Sequence, residues 1–339
     1  MVRMRMNQAV AAALADEMRE DPDVVVFGED VAVAGGPFKT SDGLLEEFGP
    51  SRVRDTPISE MGFMGMAVGA AASGLRPVAE IMFIEFLGVA LDQLVTEAAK
   101  FHFLSRGAFP CPMTVRASVG AGLGFGCQHS QTMENWMSHA PGLKMVMVSG
   151  PQSAYGLLRS AIRDPNPVVV LEPRALYGGR GQVTTGADGI LPLGQARRVR
   201  EGDDVTVVSA GAMVKVALAA AEASDDWSAE VIDLQTLIPW DRDGVVSAVR
   251  RTGRMVIVEE SPYTSGWGTE IAAYVGARLF GELRAPVLRI TCPDVPVPFG
   301  RELEQRYMPN PGYVNDQIDQ LLATGRAPDP WWVGEGRSS

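Results

Sequence analysis

Two side chains in this sequence have the type and the setting for proton chemistry, Glu60 and His129. Glu60 stands directly before fifteen residues without a charge, Met61 to Leu75. Ser59 is a natural helix N-cap after the turn at Pro57, and an acid in a first helical turn is favoured by the helix dipole. Capping alone would account for such an acid, but not for the helix behind it. Gly62, Gly65 and Gly69, with Ala72 or Ser73, recur at three- and four-residue spacings and strip one helix face almost bare. Each interior glycine costs about 1 kcal/mol relative to alanine. Repeating that cost points to close approach of another helix, and an acid at such a seam is placed to read a buried ligand.

His129 lies in "CQHSQ", just after "GAGLGFG" at 120–126. On a loop beside a flexible glycine segment it suits a general acid or hydrogen-bond donor, and equally a residue that ties the loop down. The glycines lack dinucleotide-fingerprint spacing, because Phe125 or Cys127 falls where the third glycine belongs. No acid ends a strand about 20 residues further on, where a ribose ligand is expected. The remaining histidines, His102 and His139, and the cysteines Cys111, Cys127 and Cys292 form no zinc or disulfide pattern.

These residues need elements to position them, and the composition allows for them. A chain of 339 residues suits two domains, and 46 % hydrophobic with 21 % charged residues excludes a disordered chain. A net charge of -11 argues against nucleic acid or an anionic membrane as the main partner. Few, unpaired cysteines fit a reducing cytosol. The early basic residues are followed by Asp16 and Glu17 in an amphipathic pattern, so no signal peptide is expected. The longest uncharged run is shorter than the ~20 residues of a membrane span. The expectation is a cytoplasmic, water-soluble protein.

The first half alternates strand and helix signals. "DVVVFGED", "RPVAEIMFIEF", "PMTVRAS", "LKMVMVSG" and "VVVLEP" read as strands, and "VALDQLVTEAAKFHF" and "SAYGLLRSAIRD" as helices. Such alternation implies α/β architecture, a mainly parallel sheet with helices on both faces. A Gly- and Pro-rich stretch interrupts the rhythm, and a second, smaller alternating set follows. The expected organisation is a first domain at 1–180, a linker at 181–202, a second α/β domain at 203–328 and a surface tail at 329–339.

Taken in order and spacing, "GEDVA", "DTPISEMGFMGMAVGAAASGLRP", "LDQLVTEAAK", "QHSQ", "HAPGLKMV", "SAIRDPNPVVVLEP", "DLQTLIPWD" and "DVPVPFG" resemble a known family. It is the beta subunit of the thiamine-diphosphate-dependent decarboxylase component of 2-oxo acid dehydrogenase complexes. The resemblance runs from about residue 3 to residue 325. "EIMFIEFLGVALDQ" looks most like the acetoin dehydrogenase branch, with the pyruvate and branched-chain branches open. The implied fold is a transketolase-like pyrimidine-binding domain followed by a transketolase C-terminal domain. The implied assembly is two alpha and two beta subunits serving a lipoyl acyltransferase core. The alpha subunit would hold magnesium and the diphosphate, and this chain the wall around the aminopyrimidine ring.

Carried over by position, Glu60 matches the family's cofactor-activating acid, which hydrogen-bonds a ring nitrogen of the aminopyrimidine. Glu29 matches a second acid near it, a relay if not a plain turn acid at a strand end. Met82 and Phe86 match positions that pack on the ring, with ordinary core as the plainer alternative, and Ile58 and Ser59 flank Glu60. His129 matches a histidine at the substrate end, and Phe83 is close enough to Phe86 to line the pocket for a 2-oxo acid or acetoin. Met113, Ala161, Ile162, Asp164 and Asn166 match a structural potassium site built of oxygen ligands, although "RDPNP" is equally a helix stop. Two rival readings stand beside this one. In one the chain is a non-catalytic binding subunit; in the other it is a nicotinamide-dependent dehydrogenase, which the broken glycine spacing opposes.

Overall fold

The computed structural model describes residues 1–333. Of the tail expected at 329–339, residues 334–339 lie outside the described residues. Contacts group the chain into two compact units that interleave in sequence. The first comprises Met1–Gly120, Trp136–Gly194 and Thr236–Pro239; the second comprises Ala121–Asn135, Gln195–Gln235 and the chain from Trp240 onward.

The first unit is built on a seven-stranded sheet in the order Thr236–Ile238, Lys144–Met147, Val168–Pro173, Thr114–Val119, Arg76–Ile81, Val24–Gly28, Val53–Asp55. All neighbours are parallel except the edge pair formed by Thr236–Ile238 and Lys144–Met147. Every residue of Thr114–Val119 and Val168–Pro173 is buried, as expected for central strands covered on both faces. The helices Met6–Glu20 and Pro151–Arg163 pack on one another. The fully buried Arg159 joins them, donating to Glu17 at 2.5 Å and to Glu20 at 2.6 Å.

Three local features differ from the sequence reading. The strand in "RPVAEIMFIEF" stops at Ile81, and Ile84–Phe86 is a 3₁₀ turn. Its neighbour ends at Gly28, which pairs with Glu80, so the ladder on that side has no further partner. The helix read in "VALDQLVTEAAKFHF" has a π-helical middle, Asp92–Ala98, between Leu87–Leu91 and Ala99–Leu104. The stretch read as a linker holds two short strands. Arg180–Val183 pairs with Val2–Arg5 in a separate antiparallel sheet, and Arg197–Arg200 edges the sheet of the second unit.

That second sheet runs Leu288–Cys292, Met255–Pro262, Val205–Ser209, Ala229–Asp233, Arg197–Arg200, parallel except at the last pair. The helices Met213–Ala223 and Pro311–Thr324 close one core over it, with Ala217, Ala220, Val314, Ile318 and Leu321 buried. The start of the expected surface tail is anchored. Trp331 stacks on Tyr313 with centroids 4.4 Å apart, and its indole N–H donates to the Thr291 carbonyl at 3.0 Å.

A buried ionic network crosses the middle of the first sheet. Arg116, 1 % exposed, donates to Glu80 at 2.5 Å and forms a two-pronged pair with Glu172 at 2.7 and 2.8 Å. The Tyr177 hydroxyl donates to Glu172 at 2.8 Å and the Thr40 hydroxyl to Glu80 at 3.3 Å. Burial works against the charge of the guanidinium; the carboxylates of Glu172 and Glu80 outweigh it and raise its hold on the proton. Arg116→Ala leaves two buried carboxylates without their cation. It is expected to lower stability by about 3–5 kcal/mol, read from the urea midpoint. A midpoint equal to wild type would overturn that role.

Candidate active site

Three neighbouring strands bring the expected acids to one edge of the first unit. Gly28 pairs with Asp55 on one side and Glu80 on the other, so Glu29, Thr56 and Ile81 follow side by side. The carboxyl edge of an open parallel sheet is where ligands bind. Gly28 leaves no room for a side chain, since a Cβ there would lie 2.7 Å from the Glu80 carbonyl oxygen. The Thr56 amide donates to the Gly28 carbonyl at 2.9 Å. The Asp55 carboxylate accepts from the amides of Ala32 at 2.7 Å and Val33 at 3.2 Å. The loop after Glu29 is thereby folded onto the segment that leads to Glu60.

Glu60 opens the helix Glu60–Ala72 and is half-buried. Ser59 takes the N-cap position, but its hydroxyl makes no capping hydrogen bond. Burial first, then the charges of Glu60 and Asp30, push the Glu29 carboxyl above the ordinary range. The Glu29 Oε1 atom is buried with no hydrogen-bond partner. An acid pair in electrostatic contact, one member holding an orphaned oxygen, is suited to a nitrogen-bearing group from outside the chain.

Met82, Phe83 and Phe86 are half-buried and follow the next strand, whereas Ile58 is 85 % exposed. The Phe83 ring meets Phe86 edge-on at 5.7 Å and Phe38 at 6.1 Å, with the Arg174 guanidinium 4.9 Å above it. Arg174 is fixed in turn by the Ser118 hydroxyl at 3.0 Å and the Gly120 carbonyl at 2.6 Å, and Ser118 also bonds the Met82 carbonyl. Behind Glu60, Phe63, Met64, Ala67 and Ala71 face inward. The other side exposes Met61, Met66 and two glycines, and a Cβ at Gly69 would meet nothing within 4 Å. A helix apolar all round and covered on one side only has an interface to offer.

His129 belongs to the second unit. The alternate glycines before it have a backbone cause. Gly122, Gly124 and Gly126 have φ of 101°, 79° and 76°, the left-handed region that side chains avoid. The His129 amide closes a turn onto the Gly126 carbonyl at 3.1 Å, and the residue is half-buried.

The description "Transketolase, pyrimidine binding domain" matches residues 2–180, and "Transketolase, C-terminal domain" matches residues 194–314. The pyruvate dehydrogenase E1 component subunit beta of Rhizobium meliloti is 45 % identical, over 94 % of this chain and 70 % of that protein. The 3-methyl-2-oxobutanoate dehydrogenase subunit beta of Mycobacterium tuberculosis is 43 % identical, over 94 % of this chain and 92 % of that protein. This chain belongs to the family of dehydrogenase E1 beta subunits. Another member, the acetoin:2,6-dichlorophenolindophenol oxidoreductase subunit beta of Cupriavidus necator, is 41 % identical over 96 % of this chain and 99 % of its own length. A solved structure described as a split-gene transketolase, inactive beta4 tetramer, superposes with a TM-score of 0.76 at 25 % identity, covering 95 % of this chain and 99 % of that one. Membership agrees with the transketolase-like two-domain α/β fold read from the sequence.

The residues matched to a potassium site lie around one turn. Met113 runs alongside 165–168, its carbonyl accepting from the Val168 amide at 3.0 Å. Asp164 pairs with Lys144 at 2.5 Å and accepts from the Asn166 amide at 2.9 Å. Asn166 also bonds His102 at 2.7 Å. The Ala161 carbonyl accepts from the Asp164 amide at 3.2 Å, and the Ile162 carbonyl from the Arg76 guanidinium at 3.0 Å. Among the described residues no group of three or more His, Cys, Asp or Glu is set to hold a metal, and no helix is long and apolar enough to cross a membrane.

Sequence reasoning missed Asp55, Arg174 and Glu134. Asp55 was legible as the acid opening "DTPISE"; the partners of the other two are remote in the chain. Glu134 is 1 % exposed and bonded by the Ser261 hydroxyl, and burial, with Glu259 and Glu260 nearby, pushes its carboxyl up to about 8. Between the ordinary 4.5 and that value the folded chain holds a proton that the unfolded chain has released. Stability contributed by this group is therefore lost as pH rises through that window. Thermal unfolding from pH 5 to 8 checks it: Glu134→Gln is expected to flatten the decline relative to wild type, and parallel curves would refute it.

Proposed function

We propose that this chain, paired with an alpha subunit in a two-alpha, two-beta assembly, walls the aminopyrimidine end of thiamine diphosphate. The pair acts on a 2-oxo acid or acetoin and passes the acyl group to lipoyl groups of an acyltransferase core. The observation that carries the reading is the acid pair Glu60 and Glu29 at the carboxyl edge of the first sheet, with the orphaned oxygen of Glu29. The names of the relatives support the reaction class; they name pyruvate, 3-methyl-2-oxobutanoate and acetoin at similar identity and leave the substrate open among them.

The residues divide the work by environment. Glu60, at the start of its helix, presents its carboxyl to a ring nitrogen and holds or receives the proton there. Glu29 keeps its own proton to higher pH and stands behind as its source. Met82 and Phe86 offer polarizable and flat apolar surface to a ring, and Phe83, fixed by Arg174 and Phe38, shapes the adjoining wall. When bound, the cofactor supplies the carbon nucleophile that attacks the substrate carbonyl; the protein orients and tunes it. His129 serves the substrate end as hydrogen-bond donor. The exposed charge-free face of Glu60–Ala72 receives the alpha subunit, which holds the diphosphate and magnesium. The potassium turn at Asp164 is a structural site in this reading.

The test is Glu60→Gln in the reconstituted assembly, assayed with pyruvate, 2-oxobutyrate, branched-chain 2-oxo acids and acetoin. Turnover is expected to fall ~10²–10⁴-fold, the usual worth of a positioned proton donor, with assembly intact by sedimentation. Wild-type turnover would leave the chemistry to the partner alone.

A further inference from the structure

His129 sits in a segment, 121–134, that holds neither helix nor strand. Loops of about this length without structure of their own are uncommon in compact domains. Its first arm is held by two carboxyl groups. The Ala121 amide donates to Glu260 at 2.5 Å, and the Gly124 amide donates to Glu304 at 2.8 Å. Its second arm is held by a third, where the Ser261 hydroxyl bonds Glu134, and the Asn135 side chain bonds the Ser265 carbonyl. Every tie comes from the same unit, from the strand Met255–Pro262, the turn after it and the helix Arg301–Tyr307.

These acids are costly where they stand. Glu134 and Glu304 are each 1 % exposed, and each has one buried oxygen, Oε2 and Oε1 respectively, without a hydrogen-bond partner. A buried carboxyl with half its capacity unused costs a fold stability. What all three fix is the backbone on either side of His129: Glu260 and Glu304 accept from amides of the first arm, and Glu134 ties the second through the Ser261 hydroxyl. The residue between the two tied arms stays half-exposed.

We propose that Glu304, Glu260 and Glu134 are positioning residues for His129, fastening both arms of its loop so that the imidazole is presented in one place. The inference rests on the reading of His129 as the donor at the substrate end. A double-mutant cycle in the reconstituted alpha–beta assembly tests it. Glu304→Ala is expected to lower kcat at least tenfold with little change in KM. Glu304→Gln, whose amide oxygen still accepts from Gly124, should restore most of that loss. In a His129→Ala background Glu304→Ala should change turnover less than twofold, because its effect passes through the histidine. An equal loss in both backgrounds, or no loss in either, overturns the proposal. Wild-type turnover by His129→Ala alone overturns instead the reading of His129 beneath it. Should Glu304→Ala not assemble, Ser261→Ala, which only removes the partner of Glu134, enters the same cycle under the same criteria.

Discussion

One guanidinium buried among carboxylates organises the first unit. Arg116 sits on the strand between those carrying Glu80 and Glu172, and its fork engages both. Three parallel strands are thus tied in register by side chains as well as by their ladders. The ties extend outward through Tyr177, which stacks on Phe38 at 5.1 Å, and Phe38 meets Phe83. Glu80 lies directly beside Gly28, which precedes Glu29. The position of the acid edge and of the aromatic wall therefore follows from one network deep in the sheet.

Such a network is a poor way to gain stability, because apolar residues of equal volume often serve as well. What a two-pronged pair adds is direction, since its hydrogen bonds are satisfied in one geometry only. The second unit uses carboxyl groups in a related way, with Glu259 paired to Arg289 inside the sheet while Glu260 turns to the Ala121 amide. In both units acids at least half-buried define where an edge or a loop stands, while the aliphatic cores supply the driving force.

Much of this could be read from the residues, for reasons particular to each segment. Val24–Gly28 and Val168–Pro173 are visible because buried parallel strands are written as β-branched runs. Glu60 is visible because the uncharged glycine helix behind it contradicts a simple cap. Arg180–Val183 and Arg197–Arg200 are not visible, since edge strands rich in Arg and Gly carry no apolar alternation. The π-helical middle of the 87–104 helix preserves apolar spacing closely enough to pass for an α-helix. The role of Arg116 is not visible in the sequence, because its partners lie 36 and 56 residues away. Trp331 reads as tail because its stacking partner is eighteen positions back and on another element.

The interleaving of the two units has a consequence for how this chain is made. The edge strand Thr236–Ile238 completes the first sheet, yet it is synthesised after most of the second sheet's early strands. The loop bearing His129 emerges long before the strand and helix that tie it, Met255–Pro262 and Arg301–Tyr307. Neither unit can be finished by a nascent chain cut at a domain boundary. On the ribosome the first sheet lacks its edge strand until 236–238 is made, and the second unit waits for its last strand and helices; cutting the chain into two contiguous pieces would sever a strand from one and a loop from the other.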